Sequence, residues 1–561
     1  MQPTDKPKDK LTPRVTVREA TFTLLRSLGM TTVFGNPGST ELGFLHDWPS
    51  DFRYILGLQE STVVAMADGY AQATGSAAFV NLHSAAGVGH ALGSIYTAYR
   101  NQTPLVVTAG QQARALLPLR PFLGAAAAAE FPKPYVKWSC EPARGEDVPR
   151  AIAQAYAIAM QKPCGPTFVS IPADDWRAPA EPVGVWPKSR DFAPDPELLR
   201  QVAQAIDASR RPVMIIGAAV ARDEASGLAV ELAERLSASV WVAPLTSRAG
   251  FPEDHPLFAG FLPAAPEPLA RILAEHDLVL VLGAPAFTFH VPGDLTRFQS
   301  GPPIYQITDD ADAAAATIAG TSVLGTMRLS LRALLSAVAV VERQPPARRD
   351  PAPRILPSDP IPAAFVMQTI ADLRRAGSVV VEEAPSHKEA LQRHLPITDG
   401  GFHCMASGGL GYGLPAAVGI ALAKPSRPVV CIIGDGSAMY AIQALWTAAQ
   451  HGLPLAIVVL NNGGYGAMRA FSQLMRSSAP PRIDLPGIDL PGIDLPGIDL
   501  PGIDLPGLDF PALAAGHGCA AIRVRRAEEL APALSRAFAG NGPMLVEVVV
   551  DRAVPGLYGL G

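Results

Sequence analysis

Apolar residues in this chain fall in short unbroken runs and do not alternate with polar ones. Runs at 32–34, 78–82, 105–109 and 167–171 are separated by alanine-rich stretches of helical character. A strand with one wet face alternates, whereas a strand covered on both faces does not, and parallel sheets lying between two layers of helices are covered on both. The pattern predicts an α/β fold with a doubly wound parallel sheet over residues 15–180. It repeats over 195–342, with runs at 213–216, 240–242, 278–282 and 304–307. A linker rich in proline and arginine, 343–362, leads to a third α/β section, 363–561. Three doubly wound parallel-sheet domains are therefore expected.

The third section carries the most specific chemistry. Cys431-Ile-Ile-Gly-Asp-Gly-Ser437 reads as a strand, a glycine turn with a carboxylate and a helix start; Val459-Leu-Asn-Asn-Gly-Gly-Tyr465 reads as a second strand and a turn with an amide. In a βαβ unit both turns lie at the carboxyl ends of neighbouring parallel strands, where open sheets take ligands. Asp435 and Asn462 then face one ion. A carboxylate oxygen, an amide oxygen and a backbone carbonyl from Gly464 suit Mg²⁺, or Ca²⁺ in its place, with water and diphosphate oxygens completing the shell. Gly434 and Gly436 let the backbone approach phosphates, and a helix starting near Ser437 aims its NH groups at the anion. Alone, Gly-Asp-Gly is also an ordinary tight turn. The buried strand before it and the Asn-Asn turn after it favour the metal-diphosphate reading.

This pair of turns resembles the diphosphate motif of the thiamine diphosphate-dependent enzymes. Further stretches extend the likeness over most of the chain: Val33-Phe-Gly-Asn-Pro-Gly-Ser-Thr-Glu41, Arg53-Tyr-Ile-Leu-Gly-Leu-Gln-Glu60, Asn81-Leu-His-Ser-Ala-Ala-Gly87 and Ala444-Leu-Trp-Thr-Ala-Ala-Gln450. The resemblance implies pyrimidine-binding, central and diphosphate-binding domains in that order, with thiamine diphosphate as cofactor. It also implies nonoxidative decarboxylation of a small-molecule 2-oxo acid to an aldehyde and CO₂, with benzoylformate the expected substrate.

Residue roles follow from the same likeness, and each has a plainer reading beside it. Glu60 matches the glutamate that hydrogen-bonds the aminopyrimidine ring; a carboxylate at a helix N-terminus is also favourable in itself. Ser39 matches a residue that orients the substrate carboxylate, but N-capping of a helix would equally explain it. His83 matches a donor to the developing alkoxide, and a buried structural histidine after a strand is ordinary as well. His290, in Gly283-Ala-Pro-Ala-Phe-Thr-Phe-His290, matches a second catalytic histidine. Leu410, beside Gly408, matches the bulky residue under the bent cofactor, or is a plain core leucine. Tyr465 belongs to the cofactor turn. Phe471 matches an aromatic pocket position. Cys404 is expected in the substrate pocket, and the segment from Glu382 to His387 departs from the pattern of the relatives.

Composition adds exclusions. With 46 Lys and Arg against 51 Asp and Glu the net charge is −5, which gives no general attraction to nucleic acid or anionic membrane. No apolar run is long enough to span a bilayer, and the polar start, residues 1–14, reads as a flexible tail. Five scattered cysteines without metal-ligand spacing read as free thiols of a cytoplasmic protein. The turn after 213–216 lacks the glycines of a dinucleotide fingerprint, so neither NAD nor FAD is expected. The pentad Ile483-Asp-Leu-Pro-Gly487 recurs through Gly502 and continues into Phe510. Proline and glycine at that interval prevent a regular helix and favour serial turns, either as an expanded surface loop or as a cover over the site. The resemblance further implies a homotetramer with sites at subunit interfaces. A carboligase or lyase of the same cofactor class and a noncatalytic cofactor-binding protein are the alternatives.

Overall fold

The computed structural model describes residues 15–477, 502–553 and 558. The chain divides into two compact units, Met1–Arg190 and Asp191–Gly561. The expected tail, 1–14, and the pentad repeat up to residue 501 lie outside the described residues.

The first unit is built on a six-stranded sheet ordered Arg53–Leu56, Thr32–Gly35, Ala78–Leu82, Leu105–Gln111, Pro166–Pro172, Ser139–Cys140. Every pairing in it is parallel. Ala78–Leu82 and Leu105–Gln111 are buried at every position, as unbroken apolar runs require. The first strand along the chain lies between the second and the third. The connection after Thr32–Gly35 therefore departs one way and that after Ala78–Leu82 the other, which opens a crevice at the carboxyl ends of the two.

The second unit holds two more six-stranded sheets, again wholly parallel. One runs Phe258–Phe261, Ser239–Val242, Pro212–Ile216, Leu278–Leu282, Ile304–Thr308, Thr321–Leu324. The other runs Phe402–Cys404, Val379–Glu383, Val429–Gly434, Leu455–Asn461, Met544–Val549, Ala520–Val524 and repeats the strand order of the first unit. Its switch point lies between Val379–Glu383 and Val429–Gly434. In the other sheet the switch point lies between Pro212–Ile216 and Leu278–Leu282. Among the described residues no helix is long and apolar enough to cross a membrane.

Candidate active site

Ser39 and His83 lie on the two turns that flank the crevice of the first unit. Ser39 opens the short 3₁₀ turn Ser39–Glu41 and its side chain caps nothing; Gly38 is the capping residue, and its NH donates to Glu41 Oε2 at 2.8 Å. The capping explanation for Ser39 thereby falls away, and its exposed hydroxyl makes no hydrogen bond among the described residues. His83 Nδ1 lies 2.9 Å from Glu41 Oε2 and 3.1 Å from Thr40 Oγ1. Glu41, 1% exposed, also accepts from the Thr40 hydroxyl at 2.6 Å and from Gly110 NH at 2.9 Å. The carboxylate thus fixes the ring by Nδ1 and leaves Nε2 outward.

Gly38 is required by space, not by its dihedral angle. A Cβ there would sit 2.3 Å from His83 Nδ1, inside the imidazole. Gly38→Ala is expected to swing His83 off Glu41 and, since an ångström of misplacement costs about 10²-fold, to lower kcat/KM by that order with little change in Tm. Steady-state kinetics and a melting curve on one preparation check this.

Glu60 is the first residue of the helix Glu60–Thr74, as its sequence position suggests. The cap is Gln59, whose side-chain oxygen accepts from Ser61 NH at 2.7 Å and Thr62 NH at 3.2 Å. Capping therefore leaves the Glu60 carboxylate uncommitted. Its side chain is 12% exposed, and its Oε2 lies 3.1 Å from His90 Nδ1, a partner that sequence alone does not suggest. Gly87 packs beside the other oxygen, where a Cβ would stand in ordinary contact at 3.4 Å from Oε1.

In the second unit the two diagnostic turns end the neighbouring parallel strands Val429–Gly434 and Leu455–Asn461, as expected. The helix begins at Asp435, earlier than Ser437, with Gly434 as its capping residue, and Asp435 Oδ1 accepts Gly436 NH at 2.8 Å. Asp435 Oδ2 accepts Gly464 NH at 3.0 Å, and Asn462 Oδ1 accepts the same NH at 3.3 Å. Both side chains are 3% exposed, and Asn462 Nδ2 is buried without a hydrogen-bond partner. Burial raises the Asp435 pKa, and the NH groups of Gly436 and Gly464 oppose that rise. A buried carboxylate and a buried amide converging on one turn fit a cation. Among the described residues no three His, Cys, Asp or Glu side chains cluster to cage one alone, so the site suits an ion that brings other oxygens with it.

Packing fixes this turn. A Cβ on Gly436 would lie 2.4 Å from the Tyr465 ring, and Ser437 is buried just behind. The end of the pentad repeat closes the other side: Tyr465 NH donates to Ile503 O at 2.8 Å and Leu505 NH to Gly463 O at 3.1 Å. Leu410, half-buried, sits on a loop held by Glu383, which accepts Gly411 NH at 2.6 Å and also Gly413 NH. Burial pushes Glu383 up to about 8. Gly408 is exposed at φ +74° and Gly411 sits at φ +101°, dihedrals that suit glycine.

His290 follows the strand Leu278–Leu282, beside the central switch point, and its loop passes through Phe287 at φ +107°, an unfavourable angle for a bulky residue. Its ring lies 4.4 Å from that of Phe471 in an edge-on arrangement, and its Nδ1 is 2.6 Å from the Tyr558 hydroxyl. Partial burial of a ring that stays accessible lowers its pKa. Cys404 is 2% exposed and donates its thiol to Thr246 O at 3.3 Å, so its sulfur is engaged with the backbone of the central section. Lys388 stands nearby, 4.0 Å from Glu382. Burial works against the Lys388 charge, but Cys404, Glu382 and Tyr558 keep its pKa above the ordinary value.

Residues 15–129 match the thiamine pyrophosphate enzyme N-terminal TPP binding domain, 199–334 the central domain and 385–548 the C-terminal TPP binding domain. The chain is 44% identical over 556 residues to a benzoylformate decarboxylase from Pseudomonas aeruginosa, covering 96% of this chain and 100% of that protein. Among solved structures it is similar to benzoylformate decarboxylase from Polynucleobacter necessarius, with TM-score 0.91 and 39% identity over 97% of this chain and 100% of that one. It is also similar to a thiamine diphosphate-dependent 4-hydroxybenzoylformate decarboxylase of Rhodococcus jostii RHA1, with TM-score 0.88 and 40% identity over 96% and 99%.

Proposed function

The chain belongs to the thiamine pyrophosphate enzyme family as a decarboxylase of 2-oxo acids, and we propose that it converts benzoylformate to benzaldehyde and CO₂. The observation that carries the substrate is the aromatic wall of Phe471 against His290, at 4.4 Å between ring centres, which suits a phenyl group. The full-length likeness to a benzoylformate decarboxylase supports the same substrate.

Asp435 and Asn462 side-chain oxygens and the Gly464 carbonyl would hold Mg²⁺, with Gly434, Gly436, Ser437 and Tyr465 around the diphosphate. Gly408 and Leu410 would support the middle of the cofactor, and Glu60 its pyrimidine end. When bound, thiamine diphosphate supplies the electron sink for the pair released as CO₂ leaves. The Ser39 hydroxyl orients the substrate carboxylate. His83, fixed through Nδ1 by Glu41, presents Nε2 to the developing alkoxide and stabilises its charge. His290 moves protons in the later steps.

The pyrimidine-binding, central and diphosphate-binding domains are assigned to residues 15–180, 195–342 and 363–561. Complementary halves from two chains build each site of a homotetramer, in a reducing cytoplasm that accords with five free cysteines. Purified protein supplied with thiamine diphosphate and Mg²⁺ is expected to release CO₂ and benzaldehyde from benzoylformate faster than from pyruvate or other aliphatic 2-oxo acids. Aldehyde formation with an aliphatic preference would sink the substrate reading. Cofactor binding without decarboxylation of any acid would sink the activity.

A further inference from the structure

We propose that Tyr558 is a positioning residue for His290, holding the imidazole by Nδ1 so that Nε2 alone serves proton transfer. This rests on the proposed role of His290. The contact joins residues 268 positions apart, with Tyr558 Oη 2.6 Å from Nδ1. Phe471 packs edge-on against the same ring, and the His290 backbone NH donates to Ala264 O at 2.9 Å. With the main chain pinned and Nδ1 engaged, Nε2 makes no hydrogen bond among the described residues.

A phenol suits this place because its neutral oxygen accepts a hydrogen bond without adding a charge. With both nitrogens protonated, Nδ1–H donates to the Tyr558 oxygen and Nε2 holds the proton to be given. Once that proton has left, the neutral ring keeps Nδ1–H on the Tyr558 oxygen, and bare Nε2 can take a proton back. Gain and loss of the proton are thereby confined to Nε2, because the phenol oxygen accepts from Nδ1–H in both states, which an ammonium could not do. Burial weakens the acidity of Tyr558 more than the Lys388 charge restores it, which favours the neutral hydroxyl.

The test is a double-mutant cycle of Tyr558→Phe and His290→Ala in the holoenzyme, read by kcat and KM for benzoylformate and by Tm. Tyr558→Phe is expected to lower kcat about tenfold, the low end of what a hydrogen-bond partner of an acid–base group contributes. KM should stay within about twofold and Tm unchanged, since only one hydrogen bond is lost. The double variant should be no slower than His290→Ala alone. If His290→Ala turns over like the parent, the reading of His290 itself fails. If His290→Ala is impaired while Tyr558→Phe is not, or the two losses multiply, the positioning role alone is overturned.

Discussion

Replacing Asp435 with alanine is expected to remove Mg²⁺-dependent cofactor binding while the sheet stays folded. The side chain has two tasks. In the proposed site it would be the anionic donor to the ion, and its two oxygens accept the NH groups of Gly436 and Gly464 at 2.8 and 3.0 Å. Hydrogen bonds to a charged acceptor are worth about 1.5–3 kcal/mol each. Losing both, with about 1.4 kcal/mol to each factor of ten, loosens the two turns by at least about 10²-fold in effective affinity before the missing metal ligand is considered. The strands Val429–Gly434 and Leu455–Asn461 keep their ladder and their buried faces, so Tm without cofactor should move little. Titrating thiamine diphosphate with and without Mg²⁺ separates the terms. Asp435→Asn, which keeps an acceptor but not the charge, should fall between parent and alanine. Unchanged Mg²⁺-dependent affinity in Asp435→Ala would place the cation elsewhere.

What stood out among the candidate site residues in the sequence were turns at the ends of buried strands. Leu278–Leu282 and Ala78–Leu82 were readable because both faces of those strands are covered, which leaves no polar interruption. Two edge strands were not. Ser139–Cys140 and Thr321–Leu324 pair on one side only and carry polar or exposed residues, so they merge with loop sequence. The same division holds among the candidate residues of each unit. Asp435, Asn462, Glu60 and His83 follow strands or start helices and stand out. Their partners do not: His90 lies 30 residues from Glu60, and Tyr558 lies 268 from His290. The fold brings each pair together over a long stretch of chain, and no periodicity encodes it. Glu41 was the nearest to being legible, two positions after Ser39 in the same motif, where a short turn folds its carboxylate back onto Gly38 and His83.

Glu60→Gln tests the proposed place of Glu60 at the pyrimidine end of the cofactor, and its expected effect is confined to proton chemistry. Glutamine has the same shape, the helix Glu60–Thr74 keeps its Gln59 cap, and an amide still reaches His90. Folding and cofactor affinity should change little. What an amide cannot do is share a proton with a ring nitrogen, because it holds its hydrogens too tightly to pass one on and its nitrogen is no base. Positioned acid–base groups contribute about 10²–10⁴-fold, so kcat should fall within that range. The sharper readout is exchange of the thiazolium C2 proton of bound cofactor for deuterium, followed by NMR after acid quench. Slowed exchange in Glu60→Gln with cofactor fully bound assigns the loss to that proton. Exchange at the parent rate would overturn the proposed role of Glu60 in that proton transfer and move the fall in kcat to a later step.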